Sequence, residues 1–415
     1  MIQIKDKHDC CGCSACQQRC PRHCITMRED SEGFFYPDVD TEACVDCGLC
    51  ERVCPLANSG NSKHWMEVIG AKNRNEDELL GSSSGGVFIN LARNVIAEGG
   101  IVFGAVFDGS WNVVHTYADS IDGVWAMMGS KYVQSDINDS YIKAERFLED
   151  GRIVLFTGTP CQVAGLNRYL RKSYPNLLSV DFLCHGVPGS GVWHMYLDEI
   201  RRSAGGTTRP CEDTNRMVIT GISFRDKRIY GWDKYCFVVR GSTAVTGESA
   251  VLMSDVYVDN PFMKGFLNDV YLRPSCYRCK CKGGVSGSDI TLADYWGVKT
   301  LLPDFADNRG VSLVFVNTDK GKTAAERLDM DFCAANINGL ERYNGGMKAV
   351  LREGRRRRTF FRELGDGRSF SAALNSALAK PWYNTALHGL RKAVRRIIFK
   401  RTNDEDRNID ASATH

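Results

Sequence analysis

Cysteine spacing is the strongest chemical signal in this chain. Cys10, Cys13, Cys16 and Cys20 are stepped two, two and three residues apart, with Pro21 next; Cys44, Cys47, Cys50 and Cys54 repeat the phrase before Pro55. This is the bacterial ferredoxin run, in which three thiolates of one loop hold a [4Fe–4S] cube and the fourth ligates the neighbouring cube. The spacing predicts Cys10, Cys13, Cys16 and Cys54 on one cluster, and Cys44, Cys47, Cys50 and Cys20 on the other. Zinc favours two well-separated C-x2-C pairs and fits less well. Disulfides fit worse still. Cys11 and Cys24 fall off the pattern and read as free thiols or packing residues.

Later cysteines make a further set of four: Cys161 in "GTPCQVAGL", Cys184 in "DFLCHGVP", and Cys276 and Cys279 in "RPSCYRCKCKG". A C-x2-C turn plus two single cysteines at strand ends suits a third cube. Zinc suits the same four, or three of them with His185, and Cys281 is a spare thiol able to replace a ligand. Cys211, Cys236 and Cys333 have no such company and read as structural.

Two glycine-rich turns could receive a ligand. In "LLGSSSGGVFINLARNV", Ser82, Ser83, Ser84, Gly85 and Gly86 precede a helix whose free N–H groups attract an anion such as a cofactor phosphate. The stretch is neither a Walker A loop nor G-x-G-x-x-G, and a helix cap is its plainer reading. The second turn, "GTPC", sets Pro160 at a helix start and Cys161 at a sheet edge, where ligands gather in α/β folds.

The elements around these turns alternate. "EVIGAKN", "IVFGAVFD", "VVHTYA", "RIVLFTG" and "LLSVDFLC" read as strands; "GGVFINLARNVIAEGG", "YIKAERFLEDG", "CQVAGLNRYLRKSY" and "GVWHMYLDEIRR" read as helices. Such alternation predicts an α/β domain after the polar linker "LANSGNSKH". Beyond about residue 205 strands dominate.

At 415 residues, 43% hydrophobic and 25% charged, the chain has an ordinary globular composition and length for two or three domains. Eighteen cysteines in so long a chain do not make a small disulfide scaffold. The opening "MIQIKDKHDC" lacks the apolar core of a signal peptide, and no apolar run has bilayer-crossing length, so a reducing cytoplasm is the expected setting. The net charge of +3 conceals a basic end: residues 341–401 hold 16 Lys or Arg against 4 Asp or Glu. Within it, Leu390, Val394, Ile397 and Ile398 share a helical face. That pattern fits a helix on an anionic membrane or an acidic partner, or more plainly one packed on its own domain. No nucleic-acid reader motif accompanies the charge. The polar end beyond Thr402 reads as disordered.

Together these phrases resemble the family of beta subunits of coenzyme F420 hydrogenases and dehydrogenases, in a form with a fused two-cluster ferredoxin. The marks are "SSSGGVFINLA", "GSKYVQS", "LFTGTPCQVAGL", "LCHGVP", "RPSCYRCKCKG" and "SDITLADYWG", in order, across residues 5–365. The resemblance implies a two-cluster ferredoxin fold at 1–58, a mixed α/β flavin- and iron–sulfur-binding part at 66–185 and 186–340, and a basic helical tail at 341–415. It implies FAD beside Ser83, Ser84, Gly85, Gly86, Ser130, Lys131, Tyr132 and Gln134. It also implies a third [4Fe–4S] cluster on Cys161, Cys184, Cys276 and Cys279. Cys281 stands where an aromatic residue is expected, which leaves open which of the three neighbouring cysteines ligate. The implied activity is electron transfer between a redox partner protein or reduced carrier, the clusters, FAD and a small-molecule acceptor or donor, coenzyme F420 or another. The alternative is an electron-relay or docking subunit without its own substrate.

Overall fold

The computed structural model describes residues 1–60, 65–203, 217–243, 248–335, 339–348, 351 and 353–379. The basic helix expected near 389–401, the polar end beyond Thr402 and Cys211 lie outside the described residues.

A hairpin, β1 (Ile25–Glu29) and β2 (Phe35–Val39), separates the two cysteine runs. Asp30 Oδ1 closes its turn by accepting from the N–H groups of Glu32 at 3.0 Å and Phe34 at 2.9 Å. The main domain contributes β3 (Glu67–Asn73), β4 (Ile101–Phe107), β5 (Val113–Ala118), β6 (Val154–Thr157) and β7 (Leu177–Phe182). It continues with β8 (Met217–Asp226), β9 (Cys236–Thr243), β10 (Ser249–Val256), β11 (Ile290–Asp294), β12 (Ser312–Val316) and β13 (Met330–Ala334).

Eight of these strands form one mixed sheet in the order β13-β3-β12-β11-β7-β6-β4-β5. The centre, β11-β7-β6-β4, is parallel, and antiparallel strands flank it on both sides. Strand alternation splits the core cleanly. Ile101, Phe103, Val154 and Phe156 face helices Ser140–Glu149 and Pro160–Leu170, while Val102 and Leu155 face helix Val87–Ala97. Strands from residues 67–182 and from 290–334 thus share a single sheet.

A separate antiparallel sheet, β10-β9-β8, packs Phe224 and Phe237 around Trp193 and Tyr196 of helix Ser190–Ser203. Phe360 of helix Arg355–Gly365 and Phe370 of helix Phe370–Leu378 complete that aromatic core. The "RRRRTFFREL" segment is therefore bound to its own domain: Phe360 and Arg357 are buried while most of its charges face solvent.

Candidate functional site

Both cysteine runs fold alike. Gly12 and Ser14 of the first, and Asp46 and Gly48 of the second, are left-handed at matching positions, and each run leads into a four-residue helix, Ala15–Gln18 or Leu49–Arg52. The left-handed residues turn the chain sharply enough for three closely spaced thiols to face one side. Around Cys16 stand Cys10 and Cys54, and with burial they push its thiol up. Cys20, Cys44, Cys47 and Cys50 line a second small cavity with Cys24, whose sulfur is 3.4 Å from Cys20. Ile2 N–H donates to Cys50 Sγ at 3.3 Å. Cys13 in turn has Cys16 and Cys54 beside it, so the last cysteine of each run stands among cysteines of the other.

The first run is docked on the main domain and the second faces outward. Cys10, Cys13 and Cys16 are buried, whereas Cys47 is exposed. A Cβ at Gly165 would stand 3.1 Å from Cys13 Sγ, so this glycine lets the cysteine loop approach helix Pro160–Leu170. Gln134 Nε2 donates to Cys11 O at 2.9 Å, and Arg273 Nε donates to Cys10 O at 2.8 Å. Gln18 Oε1 accepts from Tyr141 N–H at 3.1 Å, and Arg19 pairs with Glu145 at 3.0 Å.

Cys161 is the second residue of helix Pro160–Leu170, Cys184 follows β7, and Cys276 and Cys279 lie in and just after the 3-10 turn Pro274–Arg278. Burial pushes the Cys276 thiol up to about 12, with Cys161 and Cys279 adding to it. Burial likewise holds the Cys184 thiol well above its usual range; Lys282 opposes the rise, and Cys276, Cys161 and Cys279 contribute to it. The four sequence-predicted cysteines are thus one another's neighbours. Cys281 is buried beside Cys161 and Cys279, and Cys11 is a further neighbour of Cys161. Thr159 Oγ1 is 3.2 Å from Cys161 Sγ. Among the described residues no three His, Cys, Asp or Glu side chains are grouped closely enough to hold a metal ion, at this site or in the cysteine runs. The donor set itself is all sulfur. Sulfur donors of this kind bind a cationic centre as thiolates, which fits an iron–sulfur core.

Against Cys184 opens a cavity of about 890 Å³, within the range of cofactor sites. Ser83, Ser84, Gly86, Ser130, Lys131 and Tyr132 line it; Gly85 and Gln134 do not. Ser83 Oγ accepts from both N (2.6 Å) and Oγ (2.8 Å) of Ser130, and Ser84 Oγ donates to Val311 O at 2.8 Å. These serine hydroxyls brace the loop. Gly85 packs on the sheet, where a Cβ would strike Ala71 O and Ser312 N. Gly86 caps helix Val87–Ala97 through its backbone alone, so no side chain covers the first-turn N–H groups at the cavity wall. Lys131 Nζ donates to the carbonyls of Met127, Met128 and Gly129, and burial lowers its amine to about 8.

Sequence reasoning missed other walls of this cavity. Arg225 makes a bidentate pair with Asp294 at 2.7 and 2.9 Å. His115, between Ser135 Oγ and Thr157 O, is driven to about 4 by burial and stays neutral. Asp181 is raised to about 6 by burial, and Lys282 donates to His185 O at 3.1 Å. Asp294 and Trp296 fall inside "SDITLADYWG" and Lys282 inside "RPSCYRCKCKG", but Arg225 carries no local signal. His185 Nε2 lies 2.8 Å from Asp269 Oδ1, outside hydrogen-bonding geometry.

Paired cysteine loops docked on a mixed α/β domain define an iron–sulfur electron-transfer protein. Residues 9–58 match the 4Fe-4S dicluster domain, and residues 151–334 match the model for the C terminus of the coenzyme F420 hydrogenase/dehydrogenase beta subunit. Residues 151–334 are thus similar to the C-terminal part of the coenzyme F420 hydrogenase/dehydrogenase beta subunit family, behind a dicluster ferredoxin domain at residues 9–58. The F subunit of F(420)H(2) dehydrogenase from Methanosarcina mazei is 26% identical over 43% of this chain; the match spans 54% of that relative's length. A ferredoxin of Streptomyces griseus is 32% identical over 22% of this chain and 77% of its own. A chain in a solved structure of the F420-reducing [NiFe] hydrogenase complex from Methanosarcina barkeri aligns over 70% of this chain and 90% of its own. Its identity is 17% and its TM-score 0.44. No helix among the described residues is long and apolar enough to cross a membrane.

Proposed function

We propose that this chain is an iron–sulfur flavoprotein oxidoreductase. It would carry two ferredoxin-type [4Fe–4S] clusters, a third on Cys161, Cys184, Cys276 and Cys279, and FAD in the large cavity. The carrying observation is that Cys184 is both a neighbour of Cys161, Cys276 and Cys279 and a wall of that cavity. When bound, the clusters supply single-electron transfer and the flavin converts paired electrons into hydride chemistry.

The chain's own residues supply the setting. The uncovered N–H groups at the start of helix Val87–Ala97 attract phosphate. Lys131 offers a cation to phosphate or to negative charge on the flavin ring. Stacked Tyr132 and Phe266, with centroids 4.6 Å apart, and Tyr235 and Tyr257, 4.4 Å apart, provide flat apolar walls that exclude water. The acceptor or donor is a small molecule, with coenzyme F420 suggested by the name of the Methanosarcina mazei relative. A reduced carrier or redox protein would meet the exposed Cys47 side.

A Cys184→Ser variant of the full chain tests this reading. Reduction of bound flavin by a reduced ferredoxin should slow at least tenfold, while EPR signals of the ferredoxin clusters persist. Unchanged flavin reduction would overturn the path, and a wild-type protein that binds no flavin would overturn the reading altogether.

A second reading, an electron-relay subunit, is favoured by two relatives being named as subunits, of F(420)H(2) dehydrogenase and of an ion-translocating oxidoreductase complex. It requires co-purification with a partner that is lost on deleting residues 380–415.

A further inference from the structure

Arg273 is among the largest fully buried side chains, only 1% exposed. Its guanidinium spans the junction between the ferredoxin module and the main domain. Nε donates to Cys10 O at 2.8 Å, Nη1 to Gln134 Oε1 at 3.0 Å, and Nη2 to Phe35 O at 2.8 Å. Nη2 also points at Cys10 Sγ, 3.6 Å away. The rings of Tyr36 and Phe34 lie 4.5 and 5.5 Å from its centre. All these partners are neutral or weakly polarised. Among the described residues no carboxylate pairs with Arg273, and the ionisable groups around it are the thiols of Cys10, Cys11 and Cys276 and the Tyr36 phenol.

A buried, permanently charged guanidinium without a counter-anion is costly. Among the described residues the other buried arginines have one: Arg225 has Asp294, and Arg357 has Glu32. At Arg273 the place of the carboxylate is taken by cysteine sulfur. A cube bound by four thiolates carries net negative charge, and one more on reduction, so a cation fixed beside a ligand sulfur favours the reduced form.

We propose that Arg273 is the buried counter-charge of the cluster on Cys10, Cys13, Cys16 and Cys54, and that it raises that cluster's reduction potential above that of the outward-facing one. Among the described residues the cluster on Cys20, Cys44, Cys47 and Cys50 has no buried guanidinium: Arg52, which donates to Cys47 O at 2.9 Å, and Arg22 of the same cavity are both exposed, and the Met1 ammonium there is paired with Asp46 and Glu51. Electrons arriving at the exposed cluster are therefore drawn inward. Cys276 lies three residues on, with its N–H bonded to Arg273 O at 2.9 Å, and its thiol, like that of Cys10, is within electrostatic reach of the guanidinium. Arg273 acts through a ligand sulfur and is a positioning residue. The inference rests on the two-cluster reading of the ferredoxin module and does not require FAD.

EPR-monitored redox titration of the full chain, prepared anaerobically with Arg273→Gln and Arg273→Lys, tests it. The inner cluster is recognised by weaker relaxation from an aqueous paramagnet, since none of its ligands is exposed whereas Cys47 of the outer one is. Arg273→Gln should lower the inner midpoint by a tenfold or larger change in reduced fraction at fixed potential, about 59 mV for one electron, leaving the outer midpoint in place. Arg273→Lys keeps the charge, loses the fork and should move the same midpoint by less. Unmoved midpoints at wild-type iron content would overturn the proposal, and so would equal shifts of both clusters. If the glutamine variant does not fold, the lysine variant decides alone. Wild-type iron below about eight per chain would instead sink the two-cluster reading itself.

Discussion

Arg357 of helix Arg355–Gly365 is ion-paired with Glu32 of the turn between β1 and β2, joining the last described helices to the ferredoxin module. Its Nε also donates to Leu272 O at 3.2 Å, one residue before Arg273. The Arg357 side chain is 6% exposed and that of Glu32 19%, so the pair is largely shielded from water. Removing one partner of such a pair costs about 3 kcal/mol. Arg357→Ala should lower unfolding free energy by about that amount and speed proteolysis between the module and the main domain. A loss under about 1 kcal/mol would mean the pair behaves as an ordinary surface contact.

Ligand exchange between the two cysteine runs has a direct readout. Cys54→Ala should remove about four irons and erase the inner EPR signal, while Cys20→Ala removes about four irons and the outer one. If each variant instead abolished the cluster of its own run, the crossed assignment would be wrong.

With FAD in the cavity as proposed, Lys131 should make its binding pH-dependent. Burial holds its amine at about 8 in the free protein. An anionic ligand beside it favours the ammonium and raises that value in the complex. Affinity is then fully present below pH 8 and falls as pH rises beyond it, by up to tenfold per unit until the bound-state value is reached. Fluorescence titrations with FAD from pH 6.5 to 9.5 should show this fall, and Lys131→Met should flatten it. An identical slope in the variant would assign the titration to another group.

Gly85 separates fold from ligand. Because a Cβ there meets main-chain atoms of Ala71 and Ser312, Gly85→Ala should destabilise the protein by about 1–3 kcal/mol whether or not flavin is present. Chemical denaturation of flavin-free samples checks this. A variant of wild-type stability that has lost only flavin would return Gly85 to the cofactor site.

Coordination chemistry made the cysteine runs legible, because a cube fixes ligand spacing within a loop and the fold must comply. The alternating sheet was legible for a similar reason: Ile101, Val102 and Phe103 already alternate between two helix-covered faces. What sequence could not show were roles created by distant partners. Gln134, placed with the flavin by its motif, reaches Cys11 across 123 residues. Arg273 meets Cys10 across 263. Neither pairing leaves a local period. The free helix N–H groups read from the sequence as an anion site start at Gly86, while the Ser82–Ser84 hydroxyls are engaged by Glu78 O, Ser130 and Val311 O.

Quantifying iron and flavin in the anaerobically purified full chain tests the electron path most directly. Three cubes and one flavin require about twelve irons and one FAD per chain. About eight irons with no flavin would leave a ferredoxin module docked on a domain with no cofactor to receive its electrons, and would contradict the path from Cys47 through Cys184 to the cavity.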